Sequence, residues 1–277
     1  MPIIRLNQAA SSIEAVQPFD LTDRGLLLGD GIFDTSLVIN GEIVLRARHI
    51  QRLLKACDAF ALPLKREALE ALADSALPAG ATGALRLTVT RGPGVRGLGG
   101  DVASTPTLLV SFTPQAQGYP YPPVRLAISA IQRNPTAPSS RYKTLAYTDA
   151  IAGHRAAQAA GFDDALYCTP AGHLACTSIA NLFVCYGDKL VTPPLTDGIV
   201  EGVMRNWILE NAGAAGFQAS EDSLSIEALE KADHVFMANS LRLMVPVSRV
   251  GKTSFDARLP SGFDDLIREQ LLSERDG

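Results

Sequence analysis

Groups that could hold a metal are scarce in this sequence. The four cysteines, Cys57, Cys168, Cys176 and Cys185, form no CxxC pair, and the histidines at 49, 154, 173 and 234 are scattered, without carboxylates at ligand spacing. No catalytic metal is expected, and the cysteines read as reduced thiols, three of them in strand-like or core-like surroundings. Basic charge is not in excess either: 25 Lys and Arg against 29 Asp and Glu give a net charge of -4, which leaves no general basic surface for nucleic acid or an anionic membrane. No apolar run reaches the length of a membrane span, and the start Met1-Pro2-Ile3-Ile4-Arg5-Leu6-Asn7 lacks a charged segment followed by an apolar one, so a cytoplasmic protein is expected. Repeats and low-complexity tracts are missing too.

What is present suits an enzyme acting on a small molecule. The 277 residues are 47% hydrophobic and 19% charged, enough for a well-buried core in one large domain or two unequal ones, with two preferred. Leu45 to Leu62 places Ile50, Leu53, Leu54, Cys57 and Phe60 on a helical stripe, with Arg46, Arg48, Arg52 and Lys55 on other faces. Before it, Phe33 to Ile39 and Ile43 to Leu45 flank Asn40-Gly41, the dipeptide of a type I′ hairpin. Strands are expected over Ala84 to Thr90, Thr107 to Phe112, Val124 to Ile131, Ala165 to Cys168, Asn181 to Tyr186 and Val235 to Ala238. Helices are expected over Thr148 to Ala160, Gly202 to Asn211, Glu227 to Lys231 and Phe263 to Ser273. The proline-rich stretch 115–123 reads as an extended linker between a domain over 1–114 and a larger one over 124–277. The order of elements gives an α/β class in mixed α+β order, without regular βαβ alternation.

Gly92-Pro93-Gly94-Val95-Arg96-Gly97 satisfies G-x-G-x-x-G after a strand, but Leu98-Gly99-Gly100-Asp101 and a further strand follow where a dinucleotide site needs a helix. The glycines either let Arg91 and Arg96 approach an anion or simply make a flexible loop with solvated arginines. Lys143, in Arg141-Tyr142-Lys143-Thr144-Leu145, is by itself a surface charge or an amine able to form a Schiff base once its pKa is lowered. A Schiff-base cofactor carrying phosphate needs a cup, and two are legible: the helix start Glu201-Gly202-Val203-Met204-Arg205, and Asn239-Ser240 after a strand.

Together these segments resemble the class IV (fold-type IV) aminotransferases, which include branched-chain and D-amino acid aminotransferases and 4-amino-4-deoxychorismate lyase. The matches run in order through Asp23-Arg24-Gly25, Gly29 to Phe33, His49 to Leu53, Tyr142 to Leu145, Asn181-Leu182-Phe183, Gly202 to Arg205, Asn239-Ser240 and Val245-Pro246-Val247. The resemblance implies a small N-terminal α/β domain and a larger C-terminal one with pyridoxal 5'-phosphate between them. Lys143 is then the Schiff-base lysine. Arg52, the backbone N–H groups of Val203 and Met204, and Ser240 are the phosphate ligands, and Tyr147 is the partner of the cofactor's phenolic oxygen. Phe33, Arg96 and Arg242 are implied at the substrate, with Arg96 reaching the neighbouring subunit of a homodimer.

Three positions depart from the family pattern. Ala146 replaces the asparagine of K-T-L-N-Y, Arg96-Gly97-Leu98 lacks the histidine of the R-x-H carboxylate trap, and Cys176 stands where a glutamate bonds the pyridine nitrogen. No Asp or Glu occurs between Asp164 and Asp188, so a shifted alignment cannot supply the acid. Three explanations stand: a distant acid or water makes the contact, the ring works with less electron demand, or activity is lost. The second is favoured here. The segments Arg91 to Gly97 and Asn239 to Arg242 look more like the lyase than the branched-chain enzymes, so elimination of pyruvate to give 4-aminobenzoate is the leading expectation. Transamination of a D- or branched-chain amino acid is the second, and cofactor binding without turnover the third.

Overall fold

The computed structural model describes residues 3–7, 14–15, 19–99 and 105–273. The expected loop residues Gly100 and Asp101 lie outside them. By contact density the chain forms two compact units, Met1–Gln117 with Lys143–Ala146, and Gly118–Tyr142 with Tyr147–Gly277.

The first unit is built on a six-stranded sheet. Its strands are β1 (Ile3–Asn7), β2 (Glu14–Ala15), β3 (Gly31–Ile39), β4 (Glu42–Ile43), β5 (Gly83–Thr90) and β6 (Thr107–Pro114), in the order β2-β1-β6-β5-β3-β4. β3 and β4 join through Asn40 and Gly41, both at positive φ (51° and 85°), as a type I′ turn demands. The helices are α1 (Arg24–Leu28), α2 (Arg46–Ala59) and α3 (Arg66–Asp74). α2 lies on β3 and buries His49, Ile50, Leu53, Ala56 and Cys57, spaced three and four apart as a single helical face requires.

The second unit contains β7 (Val124–Ile128), α4 (Pro138–Arg141), α5 (Thr148–Ala159), β8 (Asp164–Cys168), β9 (Leu174–Thr177), β10 (Asn181–Tyr186) and β11 (Lys189–Thr192). It continues through α6 (Val203–Asn211), β12 (Gln218–Glu221), α7 (Ile226–Leu229), β13 (His234–Asn239), β14 (Leu243–Val250), β15 (Thr253–Ser254) and α8 (Phe263–Ile267), which runs into a π turn over Arg268–Leu272. The nine strands follow the order β12-β11-β10-β13-β14-β7-β8-β9, with β15 on β14. β9 also pairs with β10 at Cys176 opposite Asn181, so β9, β10, β13, β14, β7 and β8 close into a ring. Leu166, Leu182, Val184, Val235 and Val247, all fully buried, fill one core of this unit.

β7 is shorter than its alternating pattern suggests. The N–H of Ile131 turns back to Ser129 Oγ at 3.0 Å, a local side-chain bond that competes with the ladder. β9, β11 and β12 were not legible from alternation, being four residues each, and β12 is exposed throughout. Among the described residues no helix is long and apolar enough to cross a membrane.

Candidate active site

In the first unit, Lys143 enters the sheet by its backbone. Phe33 N–H donates to the Lys143 carbonyl at 2.8 Å and Leu145 N–H to the Gly31 carbonyl at 3.0 Å, so Lys143–Ala146 extends β3 as a short antiparallel partner. The Lys143 residue is half-buried, but its amine is enclosed and lies 4.2 Å from the centre of the Phe33 ring. Arg86 on β5 sets its guanidinium carbon 3.5 Å from the centre of the same ring. Burial, and then the positive charges of Arg52 and Arg86, push the Lys143 amine down to about 7, against the opposing pull of Asp34.

Asp34 anchors this cluster from a buried position on β3. Its Oδ1 is 2.6 Å from His49 Nδ1, and its Oδ2 accepts from Arg52 Nε at 2.8 Å, with Arg52 Nη2 at 2.7 Å. Burial alone would raise its carboxyl, yet Arg52 and His49 hold it at about 2. α2 supplies both partners because 49 and 52 are one turn apart on the face that meets β3. The five N–H donors of Arg52 exceed what these two contacts use, which leaves it able to serve an anion as well.

The second unit carries the remaining candidates. Val203 and Met204 are buried in the first turn of α6, where N–H groups have no intrahelical acceptor and no side chain caps them. Asn181 shapes this turn. Its Nδ2 donates to the Val200 carbonyl at 2.9 Å, and its Oδ1 lies so close to Gly202 that a Cβ there would collide with it. Ser240 is half-buried in a turn after β13, where Asn239 Oδ1 accepts from the N–H groups of Leu241 and Arg242 at 3.0 and 2.8 Å. Tyr147 is half-buried at the start of α5.

Cys176 is buried in β9 against Ala175, Ile199 and Leu195. Burial raises its thiol above the usual range, and the charge of the nearby Arg133 guanidinium works the other way. The resulting group is a neutral thiol beside a cation, and among the described residues no carboxylate bonds it. Of the two candidate substrate arginines, Arg242 is exposed with its guanidinium carbon 5.9 Å from the Tyr121 ring centre. Arg96 is exposed on a loop clamped by Arg24, which donates to the Gly97 and Leu98 carbonyls at 2.7 and 3.2 Å.

Within the first unit, therefore, Phe33, Arg52 and Lys143 come together, while Arg96 lies out on its loop. Asp34, His49 and Arg86 join this cluster without having been singled out as site residues from the sequence, and in the second unit Arg133 comes near Cys176 in the same unannounced way. The signal for Asp34 was a carboxylate inside the apolar run Phe33-Asp34-Thr35-Ser36-Leu37-Val38-Ile39. Nothing comparable marked Arg133.

This arrangement suits pyridoxal 5'-phosphate. The first unit offers a buried amine that is partly neutral near pH 7 with an arginine beside it, and the second unit, taken by itself, offers a helix start with no room for a Cβ at Gly202. The family model for amino-transferase class IV matches residues 31–250. The putative branched-chain-amino-acid aminotransferase of Methanocaldococcus jannaschii is 26% identical over 233 residues, covering 82% of this chain and 81% of that protein. The aminodeoxychorismate lyase of Bacillus subtilis is 28% identical over 251 residues, covering 88% and 84% respectively. A putative 4-amino-4-deoxychorismate lyase of Legionella pneumophila superposes with a TM-score of 0.82 at 27% identity, covering 96% of this chain and 97% of that one.

Proposed function

The chain belongs to the amino-transferase class IV family, whose enzymes depend on pyridoxal 5'-phosphate, and from that premise we propose that it is a lyase converting 4-amino-4-deoxychorismate to 4-aminobenzoate and pyruvate. The observation that carries the reading is the Lys143 amine, beside the Phe33 ring and brought down to about 7 by burial and then by the charges of Arg52 and Arg86. The similarity to aminodeoxychorismate lyase along most of both chains favours elimination.

When bound, the cofactor supplies an aldehyde that captures an amine and a conjugated ring that takes up electron density. The chain's own residues do the rest. Lys143 is the amine that would hold the aldehyde, and its pKa, lowered to about 7, would let the free amine take a proton from carbon and return it. Arg52, the N–H groups of Val203 and Met204, and the Ser240 hydroxyl would hold the phosphate, and Tyr147 would donate to the phenolic oxygen. The Phe33 ring keeps water from the Lys143 amine. Arg96 or Arg242 meets a substrate carboxylate.

A homodimer is part of the same reading. The first unit exposes Leu21, Leu26, Leu27 and Leu28 around α1, and Val95 and Leu98 on the Arg24-clamped loop, an apolar surface suited to a second copy.

The test supplies the cofactor, reduces with borohydride and maps the label, which is expected on Lys143. 4-Amino-4-deoxychorismate should then yield 4-aminobenzoate and pyruvate in equal amounts. Conversion of the cofactor to its amine form by ordinary amino acids, with no 4-aminobenzoate, would overturn the lyase in favour of the aminotransferase that the Methanocaldococcus jannaschii relative suggests. Labelling at Lys143 without any turnover would leave a binding protein.

A further inference from the structure

The cluster around Cys176 contains a group that the reading above does not use. Arg133 follows β7, its N–H donating to the Cys168 carbonyl at 2.8 Å. Its guanidinium carbon lies 4.5 Å from the centre of the Tyr167 ring, and the pairing of β8 with β9, Leu166 opposite Thr177, brings Cys176 within reach of its charge. Tyr167 is fixed in turn by its hydroxyl, which donates to the Asp149 carbonyl at 3.0 Å. Arg133 Nε is buried and finds no acceptor in the protein. The nearby acid is Asp164 on β8, also buried, with Oδ1 taken by His154 Nδ1 at 3.0 Å and Oδ2 bonded to nothing in the protein. A rigid cation thus stands against the Cys176 thiol, while the one carboxylate whose charge reaches that thiol is engaged by His154.

We propose that Arg133 is the group that faces the pyridine nitrogen of the cofactor, donating an N–H to it and keeping it unprotonated. This rests on the cofactor reading above and deepens it. A guanidinium does not surrender its proton in a protein, so it can only donate to an unprotonated nitrogen. Its charge also opposes formation of a pyridinium beside it. Cys176 contributes by being neutral, since a carboxylate at that place would cancel the guanidinium charge. The consequence is a ring of reduced electron demand. It suits an elimination driven by aromatisation better than a proton transfer that needs the full electron sink.

The test uses the holoprotein loaded with cofactor carrying 15N at the ring nitrogen, read by NMR over the pH range in which the fold holds. The expected signal is that of a free-base pyridine throughout. In Arg133→Gln the nitrogen should begin to titrate, its signal moving upfield as pH falls, while Arg133→Lys should behave as the wild type. Because loss of the stack on Tyr167 endangers folding, Cys176→Glu gives an independent reading, with the signal expected at the pyridinium position. A pyridinium signal in the wild type overturns the proposal, as does an Arg133→Gln or Cys176→Glu signal unchanged from wild type. Cofactor that never bonds Lys143 would be the separate failure of the proposed function.

Discussion

Phe33 holds Lys143 at both ends: its backbone N–H donates to the Lys143 carbonyl at 2.8 Å, and its ring centre lies 4.2 Å from the Lys143 amine. One residue of β3 therefore sets where the lysine leaves the sheet and shields the amine it presents. A lysine so placed is distinguished by chemistry that can be measured without substrate.

In the cofactor-free protein, an amine-acylating reagent should modify Lys143 with a pH midpoint near 7, several units below exposed lysines. The unfolded chain holds a proton on this lysine up to about pH 10.5, so between that pH and 7 the unfolded state binds more protons and the contribution of this group to stability rises with pH. Mass-spectrometric mapping across pH gives the midpoint. A midpoint in the ordinary lysine range would contradict the enclosure.

Asp34→Asn removes one of the two acceptor oxygens that serve His49 and Arg52 and leaves Arg52 without its counter-charge. A loss of about 3–5 kcal/mol is expected from urea unfolding, the usual cost of breaking a buried ion pair. The Lys143 midpoint should fall further, because Asp34 is the charge that holds it up. In the unaltered chain, Asp34 has its carboxyl depressed from 3.8 to about 2. Its contribution of about 2 kcal/mol is present above pH 3.8 and lost as pH falls through 2. A variant as stable as wild type would refute the anchoring role.

Gly202→Ala should separate the phosphate from the rest of the cofactor. The added Cβ meets Asn181 Oδ1, and relieving that clash shifts the first turn of α6 at a cost of about 1–3 kcal/mol. Fluorescence titration is expected to show roughly tenfold or greater weakening for pyridoxal 5'-phosphate and little change for pyridoxal. Equal weakening of both would place the phosphate elsewhere.

Leu27→Asp combined with Leu98→Asp puts two charges into the exposed apolar surface of the first unit. Sedimentation should show a shift from dimer to monomer with the fold retained by circular dichroism. An unchanged sedimentation coefficient would remove this surface from the interface.

The sequence made the regular parts legible where one residue type had one job. The stripe on α2 and the Asn40-Gly41 turn follow from helical period and left-handed backbone, and both stand as expected. Lys143 and Arg52 were legible through the resemblance to the family, and the structure brings them to a common acid. That acid was not legible, because pairing across β3 and α2 depends on which face of each element meets the other. Arg133 was hidden for a similar reason: its partners Tyr167 and Cys176 are 34 and 43 positions away and are brought to it by strand pairing. The strands β9 and β11 escaped notice because runs of four and three buried residues have no alternation to display.

Cys176 and Asn181 also form the rung that closes the ring of strands, and a rung is made by backbone, whatever side chain it carries. At one side of that rung stands the residue that departs from the family; at the other, the asparagine that shapes the start of α6. The fold therefore lets position 176 change its side chain without disturbing the start of α6, so that on the proposed seating of the cofactor the charge near the ring can be altered during evolution while the hold on phosphate stays as it is.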